Sequence, residues 1–505
     1  MAVPPGKAEH NPMQGRPLRL AARSLVREVT DRRAYRNLAA RVRYPVAAML
    51  ISQTVLTFGA TAVLARSLGP QGFGQYALVL TITGIFQLIA AFPVESGIPK
   101  FLAETRSTGP HPQASGQPAA RSVQPYYVAG LWCRLAASAV ALVLCVIGAR
   151  PLAAAYHASP LGLPVILAAV SLCFLTPLSS YFMSCIQGME HPRRWATGNL
   201  LTAGAVFPFL LIGGLRFAVW GLPGLMVSIA VGWLIAVGIT GWLAHRSLGF
   251  LWPSGDAGAQ LRQIVPFLLP ISVVPLAGFG ARTIMKLLVA SKWGTTSLGY
   301  FEISLSLLGH LAVVYQACNI VLLPEWARLY AAARSGAGLA AHATGAAEAA
   351  ELLRSLARAR GVLLGISTVY GAALVFGGQW VVPAIFGRDQ AGAIPVVRVI
   401  GLVMPVMIAG WVASTTNVVS DRTRNVGWAN VIWFSVGVPL SLLLIPVLGA
   451  LGAALSWLSA YLVFAWYYVS RARPFFHEVE VWAAQIDAGS ARAVRAHAHM
   501  EQAET

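Results

Sequence analysis

Apolar residues run along this chain in stretches of about 20, and polar residues collect between them. A helix crossing a bilayer core needs about 20 consecutive apolar residues, so each stretch predicts a span. Twelve follow, at about 44–65, 76–98, 128–149, 161–187, 197–215, 222–244, 265–290, 299–323, 361–386, 395–419, 427–448 and 451–470. The predicted fold is an all-α integral membrane protein with about twelve transmembrane helices. The runs after Pro160 and Gly427 have the least sharp edges, and fourteen spans would need a split that the pattern does not offer. The first run, from Tyr44, is about 20 residues long against about 7–15 for a signal-peptide core, so it is expected to stay in the mature chain.

Within this pattern the two halves echo each other. Gly69-Pro-Gln-Gly-Phe-Gly74-Gln75-Tyr76 opens span 2, and Gly294-Thr-Thr-Ser-Leu-Gly299-Tyr300-Phe301 opens span 8. Arg194, Asn199 and Pro208 are matched by Arg424, Asn430 and Pro439, and Gly221-x-x-Gly224 by Gly449-x-x-Gly452. Echoes in one order predict two six-helix lobes; six being even, the copies share an orientation and a pseudo-two-fold along the membrane normal. The alternative is coincidence, since Gly and aromatic residues are common at span ends. The expected layout is a basic tail 1–43, a first lobe 44–247, a linker 248–264, a second lobe 265–472 and a tail 473–505.

Composition agrees with the membrane assignment. The chain is 57% hydrophobic and 11% charged, against about 25% charged in soluble domains, and its mean hydropathy is +0.65. No stretch is left that would fold as a sizeable soluble domain. The net charge of +19 would suggest nucleic acid in a soluble protein, but its placement points to topology. With the N-terminus in the cytoplasm, the cytoplasmic segments hold 28 of the 37 Lys and Arg, the outer loops 5 and the spans 4. That bias is the positive-inside pattern; it predicts both termini cytoplasmic and no nucleic-acid partner. The tail 1–43 either lies on anionic lipid or anchors topology from solution. The 324–360 segment, with Glu348, Glu351, Arg354 and Arg358 at helical spacing, reads as a surface helix. Cys133, Cys145, Cys173, Cys185 and Cys318 all fall in apolar runs and read as small buried hydrophobes, with no metal-like spacing.

The residues that depart from the apolar pattern carry the candidate chemistry. Arg134, Arg282, Lys286 and Arg398 sit inside predicted spans. A cation at the bilayer centre costs roughly 2.5–3.5 kcal/mol on insertion scales, so each needs a partner or a wet cavity. Four of them with few acids nearby predict a site for an anion; the alternative is that they snorkel to the headgroups. In span 7, Pro270, Pro275, Gly278 and Gly280 precede Arg282 and Lys286, which predicts a hinge beside two cations. Glu302, Glu95 and His310 are candidates for ion coupling or for counter-ions to the arginines. Gln53, Thr57 and Thr61 form a polar stripe on span 1 that either lines a cavity or bonds neighbouring helices. Trp411, Thr415 and Asn417 in span 10 are further cavity-lining candidates, with packing as the other reading.

Signatures of catalysis are missing: no HExxH, no GxxxxGK[ST], no DxD, and outer loops of about a dozen residues or fewer. The expectation is a non-enzyme with no cofactor and no metal. A membrane glycan polymerase or ligase would want a large outer loop with catalytic residues. A multidrug or cation antiporter would want acids rather than an excess of cations in its cavity.

At Leu68-Gly-Pro-Gln-Gly-Phe-Gly-Gln-Tyr76 the chain resembles the Wzx-type polysaccharide flippases of the multidrug/oligosaccharidyl-lipid/polysaccharide (MOP) exporter superfamily. Gly97-Ile-Pro-Lys-Phe-Leu-Ala-Glu104, Gly188-Met-Glu-His-Pro-Arg-Arg194 and Gly294 to Tyr300 extend the likeness in order over spans 1–8. The resemblance implies a multi-pass protein of the bacterial cytoplasmic membrane that moves an undecaprenyl-pyrophosphate-linked oligosaccharide to the outer leaflet by alternating access. It further implies this lipid-linked substrate, membrane lipids and other polysaccharide-assembly proteins as partners. Many members carry an acid just before the basic residue of span 7. This chain has Met285 before Lys286, which removes that route for cation coupling.

Overall fold

A computed structural model describes residues 44, 47–90, 94–95, 97–99, 101–102, 120–156, 159–189, 192–248, 257–336, 342–420 and 422–504. Among the described residues there is no strand. Ten helices carry the fold: α1 Ala47–Ala90, α2 Ala120–Ala155, α3 Gly162–Gly188, α4 Pro192–Leu215, α5 Phe217–Leu248, α6 Ala257–Gly336, α7 His342–Phe386, α8 Ile394–Val419, α9 Thr423–Leu448 and α10 Ala450–Glu504.

These ten give twelve crossings, because two of them fold back on themselves. The 44 residues of α1 would be about 65 Å long if straight, twice the roughly 30 Å of a hydrocarbon core. The apolar stretch Gly278–Asn319 of α6 is 42 residues and poses the same problem. Each contains one residue off the helical conformation, Gly69 with φ 66° and Gly294 with φ 77°. A side chain would strain the backbone there, and glycine makes the turn without that cost. Gly221 and Gly449 repeat the device with φ 59° and φ 60°. All four glycines fall at the start of the motifs in the sequence echoes; Gly387, with φ 99°, is a further positive-φ glycine outside them. Asn199 and Asn430, a third echo, each donate Nδ2 to the carbonyl four residues back, at 3.0 and 2.8 Å.

Two compact units are formed. The larger, Tyr44–Glu325 with Leu363–Phe475, carries the apolar crossings. Its outward positions are apolar, with Ile147, Val219, Phe376 and Trp466 exposed as a hydrocarbon solvent allows. The smaller joins Trp326–Val362 to Phe476–Thr505. Within it Trp326 Nε1 donates to Ser355 Oγ at 2.9 Å, and the Tyr330 ring lies 5.5 Å from Trp482. The helix expected within 324–360 forms the start of α7, with Leu352 and Leu356 buried, and α7 continues from there without a break into the ninth crossing. Glu351 and Arg354 pair at 3.1 Å on its open side. Likewise α6 begins at Ala257, inside the predicted linker. The tail 1–43, Lys100 and the Glu348 side chain lie outside the described residues.

Candidate functional site

Two crossings contain a π-helical segment, Thr54–Gly59 in the first and Val170–Leu175 in the fourth. A π turn inserts a residue into the regular ladder and re-aims the side chains that follow. Both segments face one cavity of about 330 Å³. Its polar wall is Gln53, Thr61, Tyr76, Ser171, Trp233 and Glu302, and the remainder is apolar, including Leu56, Leu64 and Phe73. Residues on either side of Gly69 share this wall, which makes the first two crossings a hairpin.

The α6 hairpin supplies the charge. Lys286 and Glu302 stand at equal sequence distance on either side of the Gly294 turn, and their side chains meet at 2.5 Å. Eight residues of helix put that pair about 12 Å below the turn, inside the hydrocarbon layer. Arg282 lies one helical turn from Lys286, within electrostatic reach of both partners. Its Nε is buried with no hydrogen-bond partner. Two cations and one carboxylate leave the cluster one charge positive beside the cavity. An incoming anion would complete the neutralisation that the protein itself leaves unfinished.

The other predicted residues are placed elsewhere. Arg134 is 0% exposed; it forms an ion pair with Glu95 and donates Nη1 to the Ala90 carbonyl. The Ala90 carbonyl and the Glu95 carboxylate thus both take hydrogens of one buried guanidinium. Neither Arg134 nor Glu95 lines the cavity described above. Arg398 is exposed, near the start of α8, with Nη2 donating to Gln379 Oε1 at 3.4 Å. His310 Nδ1 lies 3.0 Å from the Ser306 carbonyl, and its ring meets Phe58 edge-on at 4.5 Å. Asn417 closes the α8–α9 turn, accepting from Asn425 Nδ2 at 2.8 Å and donating to the Ala413 carbonyl at 2.8 Å. Thr415 Oγ1 and Tyr315 OH share a hydrogen bond of 2.6 Å, a contact between helices. Of the span 1 stripe, Gln53 and Thr61 reach the cavity, and the Thr57 side chain lies outside the described residues.

At the expected hinge the backbone is helical through Pro270, Pro275, Gly278 and Gly280. Gly278 and Gly280 face Asn430 and Phe434 of α9, and the two proline side chains lie outside the described set. Met285, where many members of the resembled family carry an acid, is buried and packs against Gly437. Among the described residues no group of His, Cys, Asp and Glu is arranged to hold a metal ion. All five cysteines are free thiols. Tyr76, Ser171 and Trp233 were not foreseen as wall residues. A π turn has no compositional signature, and in lipid both faces of a span are apolar, so the pattern does not mark which one looks inward.

A family description, polysaccharide biosynthesis protein, matches residues 46–329. No curated protein matches the chain. Among solved structures, the chain is similar to an inward-facing conformation of a multidrug resistance MATE family transporter of the MOP superfamily: TM-score 0.64, 13% identity, covering 85% of this chain and 95% of that one. An outward-facing conformation of such a transporter gives TM-score 0.61 at 14% identity, over 88% and 96%. A MATE crystal structure in a bent conformation gives 0.57 at 13%, over 88% and 97%.

Proposed function

We propose, since the chain belongs to the polysaccharide biosynthesis protein family, that it is a flippase for an undecaprenyl-pyrophosphate-linked oligosaccharide in the bacterial cytoplasmic membrane. Family and fold are those of a MOP-type membrane translocase. Both termini are placed in the cytoplasm on the strength of the Lys and Arg distribution, and membrane lipids and other polysaccharide-assembly proteins are its expected company. The observation that carries the reading is the Arg282–Lys286–Glu302 cluster at the wall of an intramembrane cavity. A lipid-linked pyrophosphate is a concentrated anion with a hydrated glycan attached, and hydrocarbon excludes both. Guanidinium and ammonium groups replace the phosphate's water with charge-assisted bonds. Arg282, with an unfilled donor, is the first contact; Lys286 follows as Glu302 yields it.

Alternating access is part of the proposal. A cavity of about 330 Å³ is at the small end for a ligand site and too small for an oligosaccharide, so transport requires it to open. The α1 and α6 hairpins meet at their turns: a Cβ at Gly74 would fall 1.8 Å from the Thr295 carbonyl oxygen, and one at Gly299 would fall 3.0 Å from that of Pro70. At the far end Ile264 and Leu268 of α6 pack with Val94, Ile98 and Leu102 after the second crossing. Parting one set of contacts at a time would expose the cavity to one side.

A second reading, a multidrug or cation antiporter, has one observation behind it: Glu302 is the one acidic residue on the cavity wall among the described residues. Its pairing with Lys286 and the extra charge of Arg282 weigh against it. The test is Arg282→Ala expressed at normal level in the native cell. The flippase reading expects glycan export to fall at least a hundredfold, with lipid-linked glycan accumulating on the inner leaflet. Full export by that variant would remove Arg282 from the site, and lost drug resistance with intact export would select the antiporter.

A further inference from the structure

Three aromatic rings stand behind the charge cluster in the second half of the chain. Trp433 of α9 meets Trp457 of α10 edge-on, with centroids 5.2 Å apart and planes at 82°. Tyr461, one turn further along α10, lies 5.7 Å from Trp433 and 6.0 Å from Trp457. Trp457 also touches Phe301, the neighbour of Glu302, at 6.2 Å. Tyr461 is within electrostatic reach of Arg282.

The two indoles carry an unusual feature. Trp433 and Trp457 are 4% and 5% exposed, and the Nε1 of each is buried with no hydrogen-bond partner. Buried donors are almost always paired, and a native exception calls for an explanation. Here three occur in one neighbourhood, because Arg282 Nε is the third. All three are donors that cannot accept. The ligand that satisfies them is rich in acceptor oxygens and flat enough to lie against aromatic faces. A polyprenyl tail offers no acceptor. A drug cation offers charge of the wrong sign beside Arg282. A sugar ring has hydroxyl and ring oxygens at its rim and C–H faces that stack on indole and phenol.

We propose that Trp433, Trp457 and Tyr461 form a sugar-binding subsite, where a pyranose ring of the substrate is gripped beside the anion taken by Arg282. None of the three lines the cavity described above, so the subsite is separate from the polar wall of Gln53 and Ser171 and is tied to the charge cluster through Phe301 and Arg282. The two indoles are then sequestered against each other until the site opens. The inference rests on the flippase reading and adds to it the residues that read the glycan.

The experiment uses the full chain in lipid nanodiscs with two kinds of probe. One is undecaprenyl pyrophosphate; the other is the same lipid bearing a single glucose, galactose or N-acetylglucosamine. Wild type is expected to bind at least one glycosylated probe about tenfold more tightly than the bare lipid. Trp433→Phe and Trp457→Phe keep a ring and remove the donor. Each is expected to erase that preference, about tenfold, while binding bare undecaprenyl pyrophosphate as wild type does. Arg282→Ala is expected to weaken both kinds equally. A wild type that binds glycosylated and bare lipid alike overturns the subsite and leaves the flippase reading standing. Phe variants that keep the preference, or that lose both probes in parallel with a lowered unfolding temperature, mean the indoles serve ring packing only. Wild type that binds neither kind overturns the flippase reading and the subsite with it.

Discussion

Arg134 illustrates how a charge within a span can be legible while its task is not. An arginine in an apolar run demands a partner, and Glu95 was a candidate either for ion coupling or for a counter-ion to the arginines. What the sequence could not give is the Ala90 carbonyl as a second acceptor, because that depends on how the second and third crossings pack together. Arg398, likewise read as intramembrane, lies within the Arg388–Val419 span near the start of α8, with its side chain exposed and donating to Gln379. The buried pair yields a prediction. Arg134→Met strands the Glu95 carboxylate and should cost about 3–5 kcal/mol, whereas adding Glu95→Gln should recover most of the loss. Denaturant unfolding in detergent micelles measures both. A single variant of unchanged stability that nonetheless loses export would instead make Arg134 a substrate contact.

At the scale of elements, the sequence offered the Gly69 and Gly294 motifs as matched openings of spans 2 and 8. The structure makes each glycine the turn of a hairpin, because a reversal inside 44 and 42 residues needs a residue that tolerates positive φ. Their mutual contact was not legible, since it joins segments more than two hundred residues apart. It is also reciprocal: the fifth residue after each turn glycine, Gly74 or Gly299, abuts the residue that follows the other turn glycine, Thr295 or Pro70. The π segments were equally hidden. Gly74→Ala places a methyl group where the Thr295 carbonyl now sits, so the hairpin tips must separate. The expectation is at least a fivefold faster reaction of Thr61→Cys, in a background without native cysteines, with an impermeant thiol reagent added on the hairpin side. Unchanged labelling would show that the tips do not gate the cavity.

The whole molecule combines a hydrocarbon-facing exterior with a small, positively biased interior. Composition and span count fixed the first of these, because a bilayer permits so few architectures. The second was legible only as four scattered cations, and the structure separates them: Lys286 pairs with Glu302 of the cavity wall with Arg282 one turn away, Arg134 pairs with Glu95, and Arg398 lies near Gln379. Net positive charge held next to a 330 Å³ space that contacts at both ends restrict is the physical basis of the proposed transport. The most direct test is transbilayer movement in liposomes containing only the purified protein and a pyrophosphate-linked oligosaccharide lipid loaded in one leaflet. Wild-type protein should deliver the glycan to the opposite leaflet, read by a lectin that cannot cross, and Arg282→Ala at equal reconstitution should fall to the protein-free rate. Equal movement with both proteins, or none with wild type under an imposed ion gradient of either sign, would contradict the account.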